Sequence, residues 1–206
     1  MEFSDNITMI VIFMVSLFIS IGIHEMMHAL TAYKLGDDLA HSQGRISLNP
    51  LRHIDPMLTI ALPTIMVLLG LPPILAAKPV PINPNRISGE ELGLAAVGIA
   101  GPLTNLALAS LAALGIKLVD PSGIALDALL LFVQLNIGLF VFNMLPIPPL
   151  DGSRVLYAVA PGPVQRVMEQ MEQMGLLIII LFLTFLLPVI SPLLQSANQF
   201  LLNILL

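Results

Sequence analysis

The sequence predicts an all-α membrane protein that crosses the bilayer several times. Of its 206 residues, 57% are hydrophobic and only 10% are charged, and the mean hydropathy is +0.95. These values are far from those of an ordinary soluble domain. Several apolar stretches reach or approach the roughly 20 residues that a helix needs to cross the hydrocarbon core. We therefore expect one compact helical bundle over 1–206, without a separate soluble domain.

Charge and cysteine content restrict the partners and the metal ligands that are possible. The formal net charge of -5 is scattered, and no basic run suited to a phosphate backbone is present. Nucleic acid is therefore not an expected partner. Because the chain contains no cysteine, a metal ion would have to be held by His, Asp or Glu side chains.

Residues 7–33 form the first predicted span. The segment is apolar except for one polar cluster in its second half, and Lys34 and Gly36 mark its end. It lacks the positive start and the small-residue cleavage site of a signal peptide, so we expect it to be retained. In the connector over 37–56, polar and apolar side chains alternate before the turn at Asn49, which predicts a short strand or hairpin near the membrane surface.

The next apolar segment, 57–77, is interrupted by residues that break helices. They are Pro63, Gly70, Pro72 and Pro73. The stretch 78–84 contains three more prolines and cannot form a regular helix. Irregular backbone at membrane depth is tolerated only where protein or a wet cavity covers it. We therefore expect 57–77 to be a re-entrant segment or a broken helix.

Three further spans are predicted over 92–118, 124–147 and 174–190. The first of them is rich in Gly and Ala, which allow close helix packing. The second is broken near its end by Pro146, Pro148 and Pro149. Between the last two spans, 153–173 is amphipathic and more polar. For the tail after the last span, the sequence leaves open a return into the membrane or a position at its surface.

A cluster of ionisable residues lies inside the first span, in the order His24-Glu25-Met26-Met27-His28. Two histidines four positions apart share one helix face and can bind one zinc ion. Glu25 could take a proton from an attacking water and pass it to the leaving amine. Alternatively, such side chains reach from a helix end to water or are hydrogen-bonded in the interior. Each ionisable group costs about 2.5 to 3.5 kcal/mol at mid-bilayer, so their clustering favours a metal site.

A third metal ligand is needed, because a catalytic zinc ion usually has three protein ligands and one open position. Among the remaining acids and histidines, Asp151 has the most unusual context. Prolines unwind the 124–147 span just before it, and Gly152 permits a sharp turn directly after it. An ordinary turn at the end of a helix would show the same spacing. At this point the pattern makes Asp151 a candidate and leaves both interpretations open.

Several motifs occur in a fixed order along nearly the whole chain. They are His24–His28, 44–50, 53–56, 78–84, Gly101-Pro102-Leu103-Thr104-Asn105, and the stretch from Asn143 to Leu150-Asp151-Gly152. Together they resemble those of the site-2 proteases, the intramembrane metalloproteases. The likeness is greatest to the short prokaryotic members that have no PDZ domain.

The resemblance implies a zinc endopeptidase that cuts membrane proteins in or near their transmembrane segments. It implies that His24, His28 and Asp151 bind one zinc ion per chain. It also implies that Glu25 is the catalytic base. Asn143 is implied to bind the substrate backbone or the developing oxyanion.

Asn105 has two interpretations. By the same resemblance it is a candidate for a contact with the substrate. An interhelical hydrogen bond beside Gly98 and Gly101 fits its position equally well. The expected partners of the whole protein are a membrane-protein substrate and the lipid bilayer, and the sequence gives no signal for an oligomeric state.

A different class of function is also compatible with buried His and Asp residues. A non-hydrolytic metal transporter or a membrane-protein binder could place such residues along an ion pathway. Such a protein has no evident use for Glu25 directly beside the ligands, whereas hydrolysis does. The motif therefore favours the enzyme.

The depth of the ligands restricts the topology. His24 lies towards the end of the first span and Asp151 at the end of the 124–147 span, so these ends must share one side. The chain must then cross the membrane an odd number of times between His24 and the 124–147 span, whereas the sequence offers two apolar segments there, 57–77 and 92–118. One of them should therefore not cross, and the proline-broken segment 57–77 is the better candidate. The cationic residues that then share a face are Lys34, Arg45, Arg52, Lys78, Arg86, Arg154 and Arg166. The positive-inside rule places this face, and the opening of the site, in the cytoplasm of a cell-membrane protein.

Overall fold

The computed structural model describes residues 3–49, 52 and 80–206, and most of these residues are helical. In chain order the described helices are α1 (Phe3–Lys34), α2 (Leu39–Ser42), α3 (Glu90–Val119), α4 (Ile124–Asn143), α5 (Gly152–Val159), α6 (Gly162–Met174), α7 (Leu176–Leu181) and α8 (Leu187–Leu205), with a 3-10 turn at Pro84–Arg86 and a π turn at Phe182–Leu186. Within the described residues, four helical segments are long and apolar enough to cross a membrane, namely Ile7–Lys34 of α1, all of α3, all of α4 and the run Leu177–Leu205. The described part of the chain contains no β-strand, so the predicted all-α class is confirmed.

The end of α1 and the start of α3 lie side by side. Gly36 turns the chain away from α1 with a φ of 107°, a backbone conformation that glycine adopts without strain. The backbone N–H of Ser88 donates to the carbonyl of Leu35 at 2.7 Å. The buried carboxylate of Asp37 accepts from the backbone N–H of Asn83 at 2.6 Å. The chain therefore leaves α1 and enters α3 at the same end of the bundle.

The described part of the connector after α1 contains one α-helical turn, α2, followed by irregular backbone over 43–49. The N–H of Ser47 donates to the carbonyl of Arg45 at 3.0 Å, a local bond that uses groups a strand would offer to a neighbour. The strand or hairpin predicted for 37–56 is therefore wrong for the described part of that connector. The rest of the connector, and the segment 57–77 predicted to be re-entrant or broken, lie outside the described residues.

The central helix is α3, against which α1, α4 and α5 all pack. One of its buried stripes repeats every four residues and consists of Gly93, Val97, Gly101, Asn105, Ala109 and Ala113. Small residues at this spacing let neighbouring backbones approach closely. On this stripe, Ala109 and Ala113 pack against Val133 and Ile137 of α4. Asn105 is the one polar side chain of the stripe.

The helix α4 ends at Asn143, before the predicted end at 147. Pro146 has no N–H to donate, its ring clashes with the preceding helical turn, and it disfavours helical backbone at Leu145. Between α4 and α5 the chain follows turns, and Asp151 occupies the N-cap position of α5. An irregular stretch therefore carries Asp151 back towards α1 and α3.

The C-terminal helical run continues to Leu205 rather than ending at the predicted 190. Pro188 lies just after the π turn Phe182–Leu186, where the hydrogen-bond spacing of the run changes. Pro192 lies inside α8 and cannot donate to the carbonyl of Pro188, but the Ser191 hydroxyl donates to that carbonyl at 3.0 Å. A serine that satisfies the freed carbonyl is a known way for a membrane helix to pass a proline.

Candidate metal centre

Two histidines of α1 and one carboxylate from the start of α5 meet inside the bundle. Nε2 of His24 lies 3.0 Å from Nε2 of His28. Oδ2 of Asp151 lies 3.1 Å from Nε2 of His24 and 3.3 Å from Nε2 of His28. Both histidines are buried, whereas the Asp151 side chain is 25% exposed. The group is therefore reached from the side of Asp151.

The hydrogen bonds of the two rings determine which nitrogens face the centre. Nδ1 of His24 lies 2.6 Å from the amide oxygen of Asn105, and Nδ1 of His28 lies 2.7 Å from the carbonyl oxygen of Val97. Both oxygens can only accept, so each Nδ1 carries the hydrogen. In the neutral rings each Nε2 then presents a lone pair. Two lone pairs and a carboxylate oxygen converge, and a cation satisfies all three.

The separations also match the size of a zinc site. With Zn–N and Zn–O distances of about 2.0 to 2.1 Å, two ligand atoms of a tetrahedral site lie about 3.3 Å apart. The observed separations of 3.0, 3.1 and 3.3 Å form such a triangle. Two imidazoles and a carboxylate are a donor set that catalytic zinc accepts, and they leave a fourth position open. The residues present therefore fit a catalytic zinc ion.

Glycines of α3 bring the ligands together. A Cβ on Gly101 would lie 2.3 Å from Nε2 of His28 and 2.6 Å from Nε2 of His24, so the bare backbone of α3 is the floor under both rings. A Cβ on Gly98 would lie 2.9 Å from the carbonyl oxygen of Asp151. Because neither position has a side chain, α1 and the start of α5 reach the same region of α3.

The side chain of Asp151 does not cap helix α5. It stands at the N-cap of α5, where aspartate commonly accepts a hydrogen bond from the helix, yet its side chain makes no such bond. Its Oδ2 instead lies 3.1 Å from Nε2 of His24 and 3.3 Å from Nε2 of His28. The group is therefore a carboxylate that faces the imidazoles.

Glu25 follows the first histidine and is half-buried. Its negative charge acts on the guanidinium of Arg45, which lies in the connector after α1 and is itself buried. Burial lowers the pKa of Arg45, and the charge of Glu25 opposes that shift. The Arg45 guanidinium also donates to the carbonyl of Arg52. Arg45 thus brings a positive charge near Glu25, a relation that the sequence pattern did not assign.

The two asparagines singled out in the sequence occupy different places. Asn143 is half-buried at the end of α4, and its amide nitrogen donates one hydrogen to the carbonyl of Leu139 at 3.0 Å. Asn105 is fully buried behind His24, and its amide oxygen and nitrogen bind His24 and Asn136. Of the two interpretations of Asn105, the structure therefore favours the interhelical hydrogen bond over a contact with substrate.

Comparison with known proteins decides the family. The chain is 37% identical over 180 residues to the candidate zinc metalloprotease YwhC of Bacillus subtilis (strain 168), a match that covers 82% of this chain and 79% of YwhC. The model of Peptidase family M50 matches residues 121–187. The chain belongs to peptidase family M50, the site-2 proteases. As a member of M50, it is a metalloendopeptidase.

Other M50 relatives come from distant organisms. The candidate zinc metalloprotease Rip2 of Mycolicibacterium smegmatis is 32% identical over 170 residues, which cover 80% of this chain and 63% of Rip2. The candidate zinc metalloprotease MJ0611 of Methanocaldococcus jannaschii is 33% identical over 151 residues, which cover 71% of each chain. No solved structure matches the chain significantly. The M50 membership and the four long apolar helices in the described part of the chain together indicate a membrane protein.

Sequence reasoning missed two residues of this M50 site. Asn136 and Ser20 are fully buried and connect through Asn105 to His24. The available signal was their polarity inside apolar spans, which is costly unless the groups are hydrogen-bonded. That signal marks such residues as important, but it does not name their partners.

Proposed function

We propose that this M50 enzyme hydrolyses peptide bonds within or beside transmembrane segments of other membrane proteins, with one zinc ion bound by His24, His28 and Asp151. The substrate class extends beyond what the names of the relatives state. What supports it is the depth of the three ligands in the bundle.

Two helices give the same depth independently. His24 lies ten residues before Lys34 at the end of α1, and Gly101 lies eleven residues after Glu90 at the start of α3. At about 1.5 Å per residue both counts place the group about 15 Å from the same end of the bundle. That is about half of a hydrocarbon core about 30 Å thick. A peptide bond that reaches this depth belongs to a substrate embedded in the membrane.

The chemistry proposed for the site is hydrolysis by an activated water. When bound, zinc polarises the scissile carbonyl and lowers the pKa of the attacking water towards about 7. Glu25 accepts a proton from that water and delivers it to the leaving amine. The second amide hydrogen of Asn143 is available for the carbonyl oxygen as negative charge develops there. No covalent intermediate with the protein is required.

A helical substrate must unwind before it can react, because its carbonyls are engaged in hydrogen bonds along the helix. The stretch between Asn143 and Asp151 is irregular and borders the ligands, so it offers a place where an extended segment can lie. Irregular backbone at membrane depth is expected only where protein or a cavity covers it. We assign the substrate segment to this side of the site, where the Asp151 side chain is 25% exposed.

Glu25→Gln is expected to abolish cleavage and to leave zinc binding unchanged, because the amide keeps the shape of the side chain but cannot accept the proton. Loss of a general base lowers rates by about 10² to 10⁴-fold. The measurement is co-expression of the parent or the variant with a panel of tagged single-span membrane proteins, followed by detection of cleaved fragments. Zinc content of the purified proteins is determined in parallel.

The matched control is Glu91→Gln, which changes the same group on the exposed first turn of α3. It should cleave like the parent. If the parent cuts no membrane protein in the panel, and metal flux through vesicles persists in Glu25→Gln, the non-hydrolytic transporter is the better explanation.

We also propose that the site opens towards the cytoplasm. Lys34 and Arg86 lie at the end of the bundle where α1 ends and α3 begins, and Lys117 lies at the opposite end of α3. The excess of positive charge at the first end supports a cytoplasmic position for that end. The depth of the ligands is measured from this same end.

Because the chain has no cysteine, single-cysteine variants report the orientation without a background. Arg86→Cys should resist an impermeant thiol reagent in intact cells and react after lysis. Lys117→Cys, at the other end of the same helix, should react in intact cells. Labelling in the reverse pattern would reject the cytoplasmic orientation while leaving the proposed chemistry untouched.

A further inference from the structure

A chain of buried polar side chains runs through three helices to one metal ligand. The Asn136 amide nitrogen on α4 donates to Oγ of Ser20 on α1 at 2.8 Å. The Asn105 amide nitrogen on α3 donates to the Asn136 amide oxygen at 2.9 Å. The Asn105 amide oxygen lies 2.6 Å from Nδ1 of His24. Ser20, Asn105 and Asn136 are each 0% exposed.

A backbone carbonyl sets the donor-to-acceptor direction of these hydrogen bonds. The Asn136 amide nitrogen also donates to the carbonyl of Phe132 on its own helix at 2.9 Å. Because a carbonyl can only accept, the Asn136 amide group must present its nitrogen to Phe132 and its oxygen to Asn105. Asn105 must then present its nitrogen to Asn136 and its oxygen to His24. The hydrogen of His24 is thereby fixed on Nδ1, and the lone pair of Nε2 faces the metal centre.

The second histidine is held in another way. Nδ1 of His28 donates directly to the carbonyl of Val97, a backbone group that no side-chain substitution removes. The orientation and the tautomer of His24 depend instead on side chains. Changes in Asn105 or Asn136 therefore act on one ligand and leave the other in place.

We infer that Asn105 and Asn136 are positioning residues of the metal centre: they fix the tautomer and orientation of His24, and Phe132 and Ser20 anchor them. The inference rests on the metal centre of the proposed function, but not on the class of substrate. Groups that hydrogen-bond the outer nitrogen of a histidine ligand typically change metal affinity by about 10 to 100-fold. If Asn105 and Asn136 only held the helices together, their replacement would leave the zinc affinity unchanged.

The test measures zinc affinity of the purified protein in detergent, by competition with a chelator. Visible absorption of the cobalt-substituted protein reports ligand geometry in the same samples. Asn105→Leu should weaken zinc binding by about 10 to 100-fold. Asn136→Leu should weaken zinc binding less. Asn105 can still accept from His24, but the group that orients its amide is gone. Ser20→Ala should weaken zinc binding least of the three, because the Phe132 carbonyl still sets the direction of the Asn136 amide.

Two further variants separate positioning from stability. Asn105→Asp keeps an acceptor for Nδ1 of His24, so it should recover most of the affinity and the cobalt spectrum lost in Asn105→Leu. Thr104→Val, next to Asn105, removes a hydroxyl that donates to the Ala100 carbonyl of its own helix, and should bind zinc like the parent.

A zinc affinity that falls least in Ser20→Ala, more in Asn136→Leu and most in Asn105→Leu would support the positioning role. Should Asn105→Leu not fold, Asn136→Leu and Asn105→Asp still decide between the two roles. Folded leucine variants with a lower Tm but unchanged zinc affinity and cobalt spectrum would overturn the inference and leave a purely structural network. Because no substrate is present in these measurements, their result is independent of whether the enzyme cuts membrane proteins.

Discussion

Gly101→Ala is expected to remove zinc and activity together, although it adds a single methyl group. The new Cβ would lie 2.3 Å from Nε2 of His28 and 2.6 Å from Cε1 and Nε2 of His24. Since these contacts are far inside van der Waals distance, α1 and α3 must separate or the rings must turn away. A displacement of about 1 Å at a catalytic site costs about 10²-fold in rate, and here the ligands themselves move. Zinc content and cleavage of any identified substrate are the measurements.

The same helix supplies the control for this prediction. A Cβ on Gly115 meets no atom of the described residues within 4 Å, so Gly115→Ala should keep full zinc content and activity. It should also raise stability slightly, because alanine favours a helix interior over glycine by about 1 kcal/mol. If Gly101→Ala retained a full equivalent of zinc, the close packing of α3 against the two imidazoles would be refuted.

The features that could be predicted from the sequence are those with a local physical cause. The length and apolarity of the spans predicted the all-α class, and the four-residue spacing of His24 and His28 predicted their shared helix face. The sequence pattern alone did not decide whether Asp151 is a metal ligand, because prolines before a carboxylate also mark ordinary turns. Its contact with the histidines depends on the packing of α5 against α3, which no local pattern determines.

The features that escaped prediction depend on partners far away in the chain or on one compensating group. The bonds from Asn105 to His24 and from Asn136 to Ser20 join residues 81 and 116 positions apart. Which of these side chains meet depends on how the helices pack against one another. That packing cannot be inferred from a single sequence. The strand predicted after α1 failed because alternation over a few residues also arises in turns. The run to Leu205 was missed because Ser191 satisfies the carbonyl that Pro192 leaves free.

Asp151→Asn is expected to lower zinc affinity by at least about a hundredfold while the protein without metal becomes no less stable. The loss follows because a neutral amide oxygen replaces one of three ligands, and a first ligand should matter at least as much as the groups behind it. The stability follows because the Asp151 side chain makes no capping hydrogen bond to α5, so its replacement removes no such bond. In addition, the side-chain amide nitrogen of asparagine can donate to a lone pair of a neutral His24 or His28 ring, which a carboxylate oxygen cannot do.

Thermal unfolding with and without zinc tests both halves of this prediction. A ligand present at about 100 times its Kd stabilises the native state by about 2.7 kcal/mol, so zinc should raise the Tm of the parent and not that of Asp151→Asn. In chelator, the variant should unfold at the same temperature as the parent or higher. Asp120→Asn, an exposed residue after α3 with a φ of 48° that asparagine tolerates, should behave like the parent in both conditions. An Asp151→Asn protein that zinc stabilises as strongly as the parent would mean that the third ligand lies elsewhere, because the two histidines alone cannot account for undiminished affinity.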